Sequence, residues 1–475
     1  MTELHDLSLL EQAAAVRRHE VSPVELTEHY LRRIEDRAEA LGAFVTVTAD
    51  RAMTEARAAE ARVAKAGPDE VLAPLLGVPV PVKDLNLVEG VRVTFGSEVY
   101  REFVAPFDDY VATKLRDAGT VLLGKTNTPE FGLPCYTENL VVGPARNPWD
   151  PSRMAGGSSG GAAAAVAAGL APAAHGNDGG GSVRIPAACC GLVGLKSSRG
   201  RISAGPMRGD TSGLPVEGAL TRTVRDAAAL LDAMAGPMPG DPQWAPPLPP
   251  GATFLAACDD EPGPLRIGRF RTPVIAETEL HPDVVVAYEH ASRLLEQLGH
   301  DVEDVEPPFT VDAVPQFEQV WATGAASIPL DPECETQLMP LTRYLRDRGN
   351  AVSGADYVTA VSAMQLASRQ AAVRLAAYDV LLCPTLAQPA LPVGAIRDDD
   401  DPAADFEAQK RFTPFTAAFN VTGQPALTLP LATSIDGLPV GVMLVGRAAG
   451  EASLLALAAQ VEAAAPWRER RPEGW

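Results

Sequence analysis

Apolar residues recur along this chain at two spacings, and their alternation predicts the architecture. Leu26, Tyr30, Leu31 and Ile34 repeat at helical intervals behind Ser22-Pro23-Val24-Glu25, a capping-box sequence with proline in the first turn, so the chain opens with helices. Residues 109–118, 224–235, 283–298, 357–377 and 451–464 carry the same helical period. Between them lie short apolar runs at 120–123, 192–195, 265–268, 378–382, 426–429 and 440–445, which read as buried strands. Strands alternating with helices predict an α/β sandwich with helices on both faces of the sheet. In Val78-Pro79-Val80-Pro81-Val82 the prolines cannot donate to a ladder, so a short extended segment at a sheet margin is expected, ending at Lys83-Asp84.

Residues 154–177 hold no Asp, Glu, Lys or Arg, yet they are Gly, Ser and Ala with Pro172 among them, too weakly apolar for a bilayer span; a buried, closely packed helix is expected. The stretch 236–251 carries seven prolines and reads as a linker or a long surface connection. The acidic run 398–401 has no accompanying ligand pattern and reads as a solvated loop.

At 475 residues and 46% hydrophobic, the chain can bury a large core without staples, and length alone suggests about three domains. A net charge of −21 repels phosphate backbones and anionic membrane surfaces, which argues against nucleic-acid and membrane partners. The six cysteines (Cys135, Cys189, Cys190, Cys258, Cys334, Cys383) form no CxxC pair and read as thiols in a reducing compartment. Acidic residues stand where a secretory leader would be basic, so a cytoplasmic location is expected.

Several motifs compete for the chemistry. Gly119, Gly124, Lys125 and Thr126 match a phosphate-loop pattern, but the intervening Thr120-Val121-Leu122-Leu123 has the bulk of a buried strand rather than a flexible turn. Gly157-Ser158-Ser159-Gly160-Gly161 matches a nucleophile elbow, yet Pro151 to Gly156 does not read as the strand such an elbow follows. The seven histidines show no metal-binding spacing, so no metal or other cofactor is expected; His175 reads as a hydrogen-bonded structural residue. Two glycine-rich turns remain, 156–161 and 177–186, each containing serine. Such turns either expose backbone amides to a developing oxyanion or serve packing alone.

Together with those turns, Gly77 to Asp84, Gly124-Lys125-Thr126-Asn127, Arg146-Asn147-Pro148-Trp149, Gly191 to Lys196, Ala219 to Asp226, Phe419 to Pro425 and Gly437 to Val442 resemble the amidase signature family, in that family's order. The resemblance implies an α/β/α sandwich on a large mixed sheet and one amidase domain over 1–475, overruling the count of three. Within it, N-terminal helices cover about 1–65, a catalytic core about 70–236, the proline-rich connection 236–251, and 252–475 completes the sheet and substrate pocket. It also implies a Ser-cisSer-Lys triad: Ser182 as nucleophile, Ser158 as bridging serine with a cis peptide to Gly157, and Lys83 as general base. The amides of Gly179, Gly180, Gly181 and Ser182 would hold the oxyanion, with Ser159, Asp178 and Arg184 in support.

The family's common Thr-Asp-x-Gly-Gly-Ser stands here as Asn177-Asp178-Gly179-Gly180-Gly181-Ser182, so a third glycine makes the expected oxyanion turn more flexible. The surrounding sequence is similar to the branch of nylon-oligomer (aminohexanoate cyclic dimer) hydrolases. A base role requires neutral Lys83, and deprotonating an ordinary lysine at pH 7 costs about 4.6 kcal/mol, within reach of burial in a dry site. Asp84 is therefore expected to face away and cap a turn. The reaction expected is hydrolysis of an amide with water as co-substrate; the rival is an amidotransferase A-type subunit making ammonia for aminoacyl-tRNA. Trp321, Cys334, Tyr344 and Met364 are candidate pocket lining, and a homodimer is the commonest assembly for such a soluble enzyme.

Overall fold

The computed structural model describes residues 3–67, 70–207, 209–309 and 311–475. Ser22 Oγ accepts from Glu25 N at 3.0 Å and starts helix α1 (Pro23–Leu41), which Gly42 ends in the left-handed conformation. The inner face of α1 buries Leu26, Tyr30 and Ile34 in one apolar cluster with the alanines of α2 (Gly160–Ala167). Closely packed alanines explain the charge-free stretch only in part. After α2 the chain does not stay helical but enters a strand at Ala173.

Three short strands, β1 (Phe44–Val47), β2 (Val82–Lys83) and β3 (Gly124–Thr126), form a small sheet in the order β1-β3-β2. Pro79 makes only an isolated bridge to Val121, and β2 lies at the sheet edge, as prolines dictate. The strand expected at 120–123 is displaced: Val121 sits in that bridge, and the ladder begins at Gly124.

The large sheet has eight strands among the described residues: β4 (Ala173–Asp178), β5 (Val193–Lys196), β6 (Val216–Thr221), β7 (Arg266–Arg269), β8 (Asp301–Asp304), β9 (Val380–Pro384), β10 (Ala426–Thr433) and β11 (Pro439–Gly446). Their order is β8-β7-β9-β11-β10-β5-β6-β4, parallel from β8 to β9 and antiparallel from β9 to β4, so the sheet is mixed. Successive side chains of a strand point to opposite faces, and β11 shows where each face goes. Val440, Val442 and Leu444 join a cluster with Leu230, Leu295 and Leu457, whereas Met443 and Val445 join Phe415 and Phe419. Helices therefore cover both faces. The helices expected at 109–118, 224–235, 283–298, 357–377 and 451–464 appear as Tyr110–Asp117, Val224–Met234, Pro282–Gln297, Gly354–Arg374 and Glu451–Ala464. No helix among the described residues is long and apolar enough to cross a membrane.

Candidate active site

Chain ends of β2 and β4 and the starts of two helices converge on one buried point. Lys83 ends β2, Ser158 lies in the turn before α2, Asn177 and Asp178 end β4, and Ser182 lies in the turn before α3 (Arg184–Cys190). The backbone N–H of His175 donates to Pro81 O at 3.1 Å, tying β4 to the approach of β2. Ser159 N donates to Ser182 O at 3.1 Å, tying one glycine-rich turn to the other. The Gly157–Ser158 peptide bond is cis. A Cβ on Gly157 would stand 2.6 Å from the Tyr136 backbone, so only glycine fits there.

Lys83 is fully buried, and its Nζ lies 2.8 Å from Ser158 Oγ and donates to Asn177 Oδ1 at 2.7 Å and to Asn177 O at 3.4 Å. Among the described residues, no hydrogen bond joins the hydroxyls of Ser158 and Ser182; the two serines meet through the Ser159 backbone. Ser159 Oγ donates to Asn177 O at 3.3 Å. Asp84 faces away from Lys83. Its Oδ2 accepts from Thr94 N at 2.9 Å, and its Oδ1 lies 3.2 Å from the Nζ of buried Lys125. Burial lowers the Lys125 pKa, and the Asp84 carboxylate pulls it back. Lys125 thus serves neither a phosphate loop nor the surface.

The turn 179–182 is braced by one carboxylate. Asp178 Oδ1 accepts from Gly181 N at 2.8 Å, and its Oδ2 accepts from Val183 N at 3.1 Å and from Arg184 Nε at 3.0 Å. Gly181 N is thereby held by the carboxylate, which differs from the expectation that all four amides of the turn serve an oxyanion. Burial pushes the Asp178 carboxyl up, but the Arg184 guanidinium outweighs it and holds the group well below the usual range. Asn420 Nδ2 donates to Asp178 Oδ1 at 2.9 Å, and its Oδ1 accepts from Arg184 Nη2 at 2.7 Å. A further buried lysine, Lys196, is brought down to about 7 by burial and by the nearby Arg184 charge.

Ser182 and Gly180 lie on the wall of an open cavity of about 930 Å³. It is mostly apolar, with Ile185, Phe317, Trp321, Met364 and Val421 on its sides and Glu318 and Lys410 as its charged pair, 2.6 Å apart. Phe317 and Trp321 stack at 5.5 Å on α4 (Val314–Ala326). A Cβ on Gly179 would lie in ordinary van der Waals contact with the Trp321 ring at 3.4 Å, so the indole borders the space beside this turn. Of the lining residues expected, Trp321 and Met364 are in place; Cys334 and Tyr344 are not part of this wall.

Sequence reasoning missed Asn86, Asn177, Glu217, Asn420 and Lys125. Asn177 and Asn420 stand inside legible motifs, and Lys125 stands in the segment that matches a phosphate-loop pattern. Among the described residues, two histidines do come together where Glu3, His5 and His29 approach one another. There His5 Nδ1 and His29 Nε2 are 3.0 Å apart and hydrogen-bonded to each other, and burial together with the Arg33 charge lowers the pKa of both, a positive neighbour that disfavours a bound cation.

The family model of amidases matches residues 25–455. This chain belongs to the amidase family. It is 36% identical to the 6-aminohexanoate-cyclic-dimer hydrolase of Paenarthrobacter ureafaciens, over 97% of this chain and 95% of that one. It is 35% identical to a glutamyl-tRNA(Gln) amidotransferase subunit of Thioalkalivibrio sulfidiphilus, over 99% and 100%. Among solved structures, 6-aminohexanoate cyclic dimer hydrolase complexed with substrate superimposes with a TM-score of 0.91 at 34% identity, covering 99% of each chain. The amidase is thus an enzyme of amide C–N bond hydrolysis on a mixed α/β fold.

Proposed function

We propose that this amidase acts alone, as one catalytic unit over residues 1–475, and cleaves a carboxamide through an acyl-enzyme on Ser182. The observation that carries the reading is the buried 2.8 Å contact between Lys83 Nζ and Ser158 Oγ, beside the Ser159 N–H that donates to the backbone of Ser182, a serine on the cavity wall. Burial opposes the ammonium form, so Lys83 is suited to accept a proton. In the first half-reaction Ser182 Oγ bonds to the amide carbon while its proton passes to Ser158 and that of Ser158 to Lys83. The amides of Gly179, Gly180 and Ser182 receive the negative charge on the carbonyl oxygen, in a turn that Asp178 braces through Gly181 N and Arg184. Proton return along the same relay protonates the nitrogen, the C–N bond breaks and the amine leaves. Water then attacks the ester while Lys83 takes its proton through Ser158, and as the acyl–oxygen bond breaks Lys83 returns that proton through Ser158 to Ser182 Oγ, so the acid departs with Ser182 and neutral Lys83 restored.

The cavity suits an amide with a substantial apolar part, since ring and aliphatic groups make most of its wall. Six free thiols suit a reducing cytoplasm. Likeness to an amidotransferase subunit favours a second reading, ammonia production for a partner acting on aminoacyl-tRNA. Purified chain separates the two, because the first releases amine or ammonia from amides unaided and the second is idle without its partner. For the mechanism, Ser182→Ala is expected to abolish the pre-steady-state burst of released amine. A burst of normal amplitude in that variant rejects Ser182 as nucleophile.

A further inference from the structure

A closed ring of buried hydrogen bonds runs from Lys83 back to Lys83. Its Nζ donates to Asn177 Oδ1 at 2.7 Å, Asn177 Nδ2 donates to Asn86 Oδ1 at 3.1 Å, and Asn86 Nδ2 donates to Glu217 Oε1 at 3.2 Å. Glu217 Oε2 lies 2.8 Å from His175 Nε2, and the Lys83 backbone N–H donates to His175 Nδ1 at 3.4 Å. None of the five side chains is more than 5% exposed.

The direction of every link follows from its far end. A carboxylate only accepts, so Asn86 must turn its NH₂ to Glu217 and its oxygen to Asn177. Asn177 must then turn its own NH₂ to Asn86 and its oxygen to Lys83. His175 agrees: Nδ1 faces a backbone N–H, which places the ring proton on Nε2, toward Glu217. Glu217 thereby fixes which atom meets the amine through the amides of Asn86 and Asn177.

This order matters for a base. A neutral amine has two N–H groups and one lone pair, and Asn177 offers Nζ two oxygens, Oδ1 and its backbone carbonyl. The third contact direction is Ser158 Oγ. We propose that Asn177 is a positioning residue which, oriented through Asn86 by Glu217, engages the N–H groups of Lys83 and aims its lone pair at the Ser158 hydroxyl. The inference rests on the serine relay proposed above. An amide suits the task because it orients the amine without the charge that would favour ammonium. The other ionisable groups packed around the site have partners of their own: Asp84 pairs with Lys125, Asp178 with Arg184, and Glu217 with His175 and Asn86, while Lys196 donates to Ser197 O. The family's common Thr at position 177 is too short to reach both Lys83 and Asn86 in this way.

The test is the pH profile of kcat/KM on a chromogenic amide for the wild type, Asn177→Asp, Asn177→Ala, Glu217→Gln and Lys83→Ala, with melting curves for each. Asn177→Asp puts a carboxylate against Nζ and is expected to move the acid limb up by about one pH unit or more. Asn177→Ala is expected to lower the plateau at least tenfold. Glu217→Gln, which adds no charge beside Lys83 and covers the case of an unfolded Asp variant, is expected to lower it at least threefold. A purely packing role would reduce folded protein or the plateau and leave the limb where it is. An unmoved limb in folded Asn177→Asp, or wild-type plateaus in both Asn177→Ala and Glu217→Gln, overturns the proposal while Lys83→Ala is inactive. Wild-type turnover by Lys83→Ala overturns the serine relay itself, and this inference with it.

Discussion

Asp84 follows Lys83 in the chain, yet its carboxylate pairs with Lys125, 3.2 Å away on the neighbouring strand β3, and both side chains are fully buried. Lys83 ends β2 and Asp84 opens the turn that follows, and the two side chains go to different partners, Lys83 to Ser158 and Asn177 and Asp84 to Thr94 and Lys125. The pair gives Asp84 a countercharge that is not Lys83. Removing one partner of such a pair strands the other in a dry interior, which costs about 3–5 kcal/mol. Lys125→Met is therefore expected to destabilise the amidase by about that much in denaturant titrations. Asp84→Asn combined with Lys125→Met is expected to recover much of the loss, and a double variant as weak as the sum of the singles would show that the pair does not couple.

Gly181 carries the turn that presents Ser182. Its φ of +132° lies where side-chain-bearing residues are rare, and a Cβ there would stand 2.4 Å from Thr416 Oγ1. Gly181→Ala is expected to displace the backbone amides facing the cavity and to reduce kcat by about 10²–10³-fold, the cost of losing an oxyanion donor elsewhere. Replacing Gly179 by Ala meets only ordinary contact with Trp321 at 3.4 Å, so its kcat is expected to stay within about tenfold. Steady-state kinetics of the two variants, measured side by side, check the contrast.

Much of this site was readable because its chemistry sits in short motifs. Lys83, Ser158 and Ser182 lie within glycine- and proline-marked segments, and the order of elements followed from apolar spacing at 224–235 and 451–464. Strand β4 was not readable: Ala173-Ala174-His175-Gly176 has neither β-branched bulk nor alternation, and only sheet partners on β6 make it a strand. The ring of Asn86, Asn177, Glu217 and His175 was hidden for another reason. Its members are up to 131 positions apart, and an asparagine in a loop carries no sequence mark of what it faces.

Asp178 ties the acid stability of the fold to the site. Its carboxyl is held below its ordinary value of 3.8, chiefly by Arg184 acting against burial. A depressed folded-state pKa contributes stability that is fully present above about pH 4 and is lost as the pH falls through the folded value. Asp178→Asn is expected to cost about 3–5 kcal/mol at neutral pH, because Arg184 is left buried without its countercharge. The difference from the wild type should narrow on acidification below pH 4. Urea unfolding of both proteins from pH 3 to pH 7 measures it, and a difference independent of pH would mean that the ion pair is not its source.

Lys196 works in the opposite pH range. Burial and the neighbouring Arg184 bring its folded pKa from 10.5 to about 7. Between those two values the folded protein holds a neutral amine while the unfolded chain holds a charged one, so the unfolded state binds more protons and stability rises with pH across that window. Below about pH 7 both states are protonated, and burying the ammonium imposes its full cost. Lys196→Met fills similar volume without a charge and removes this dependence. The variant is expected to gain most over the wild type at pH 7 and progressively less toward pH 10, where the wild-type amine is neutral in the fold at smaller cost. Guanidinium unfolding at pH 7, 8.5 and 10 distinguishes that trend from a constant offset, which would assign Lys196 a packing role with no protonation change.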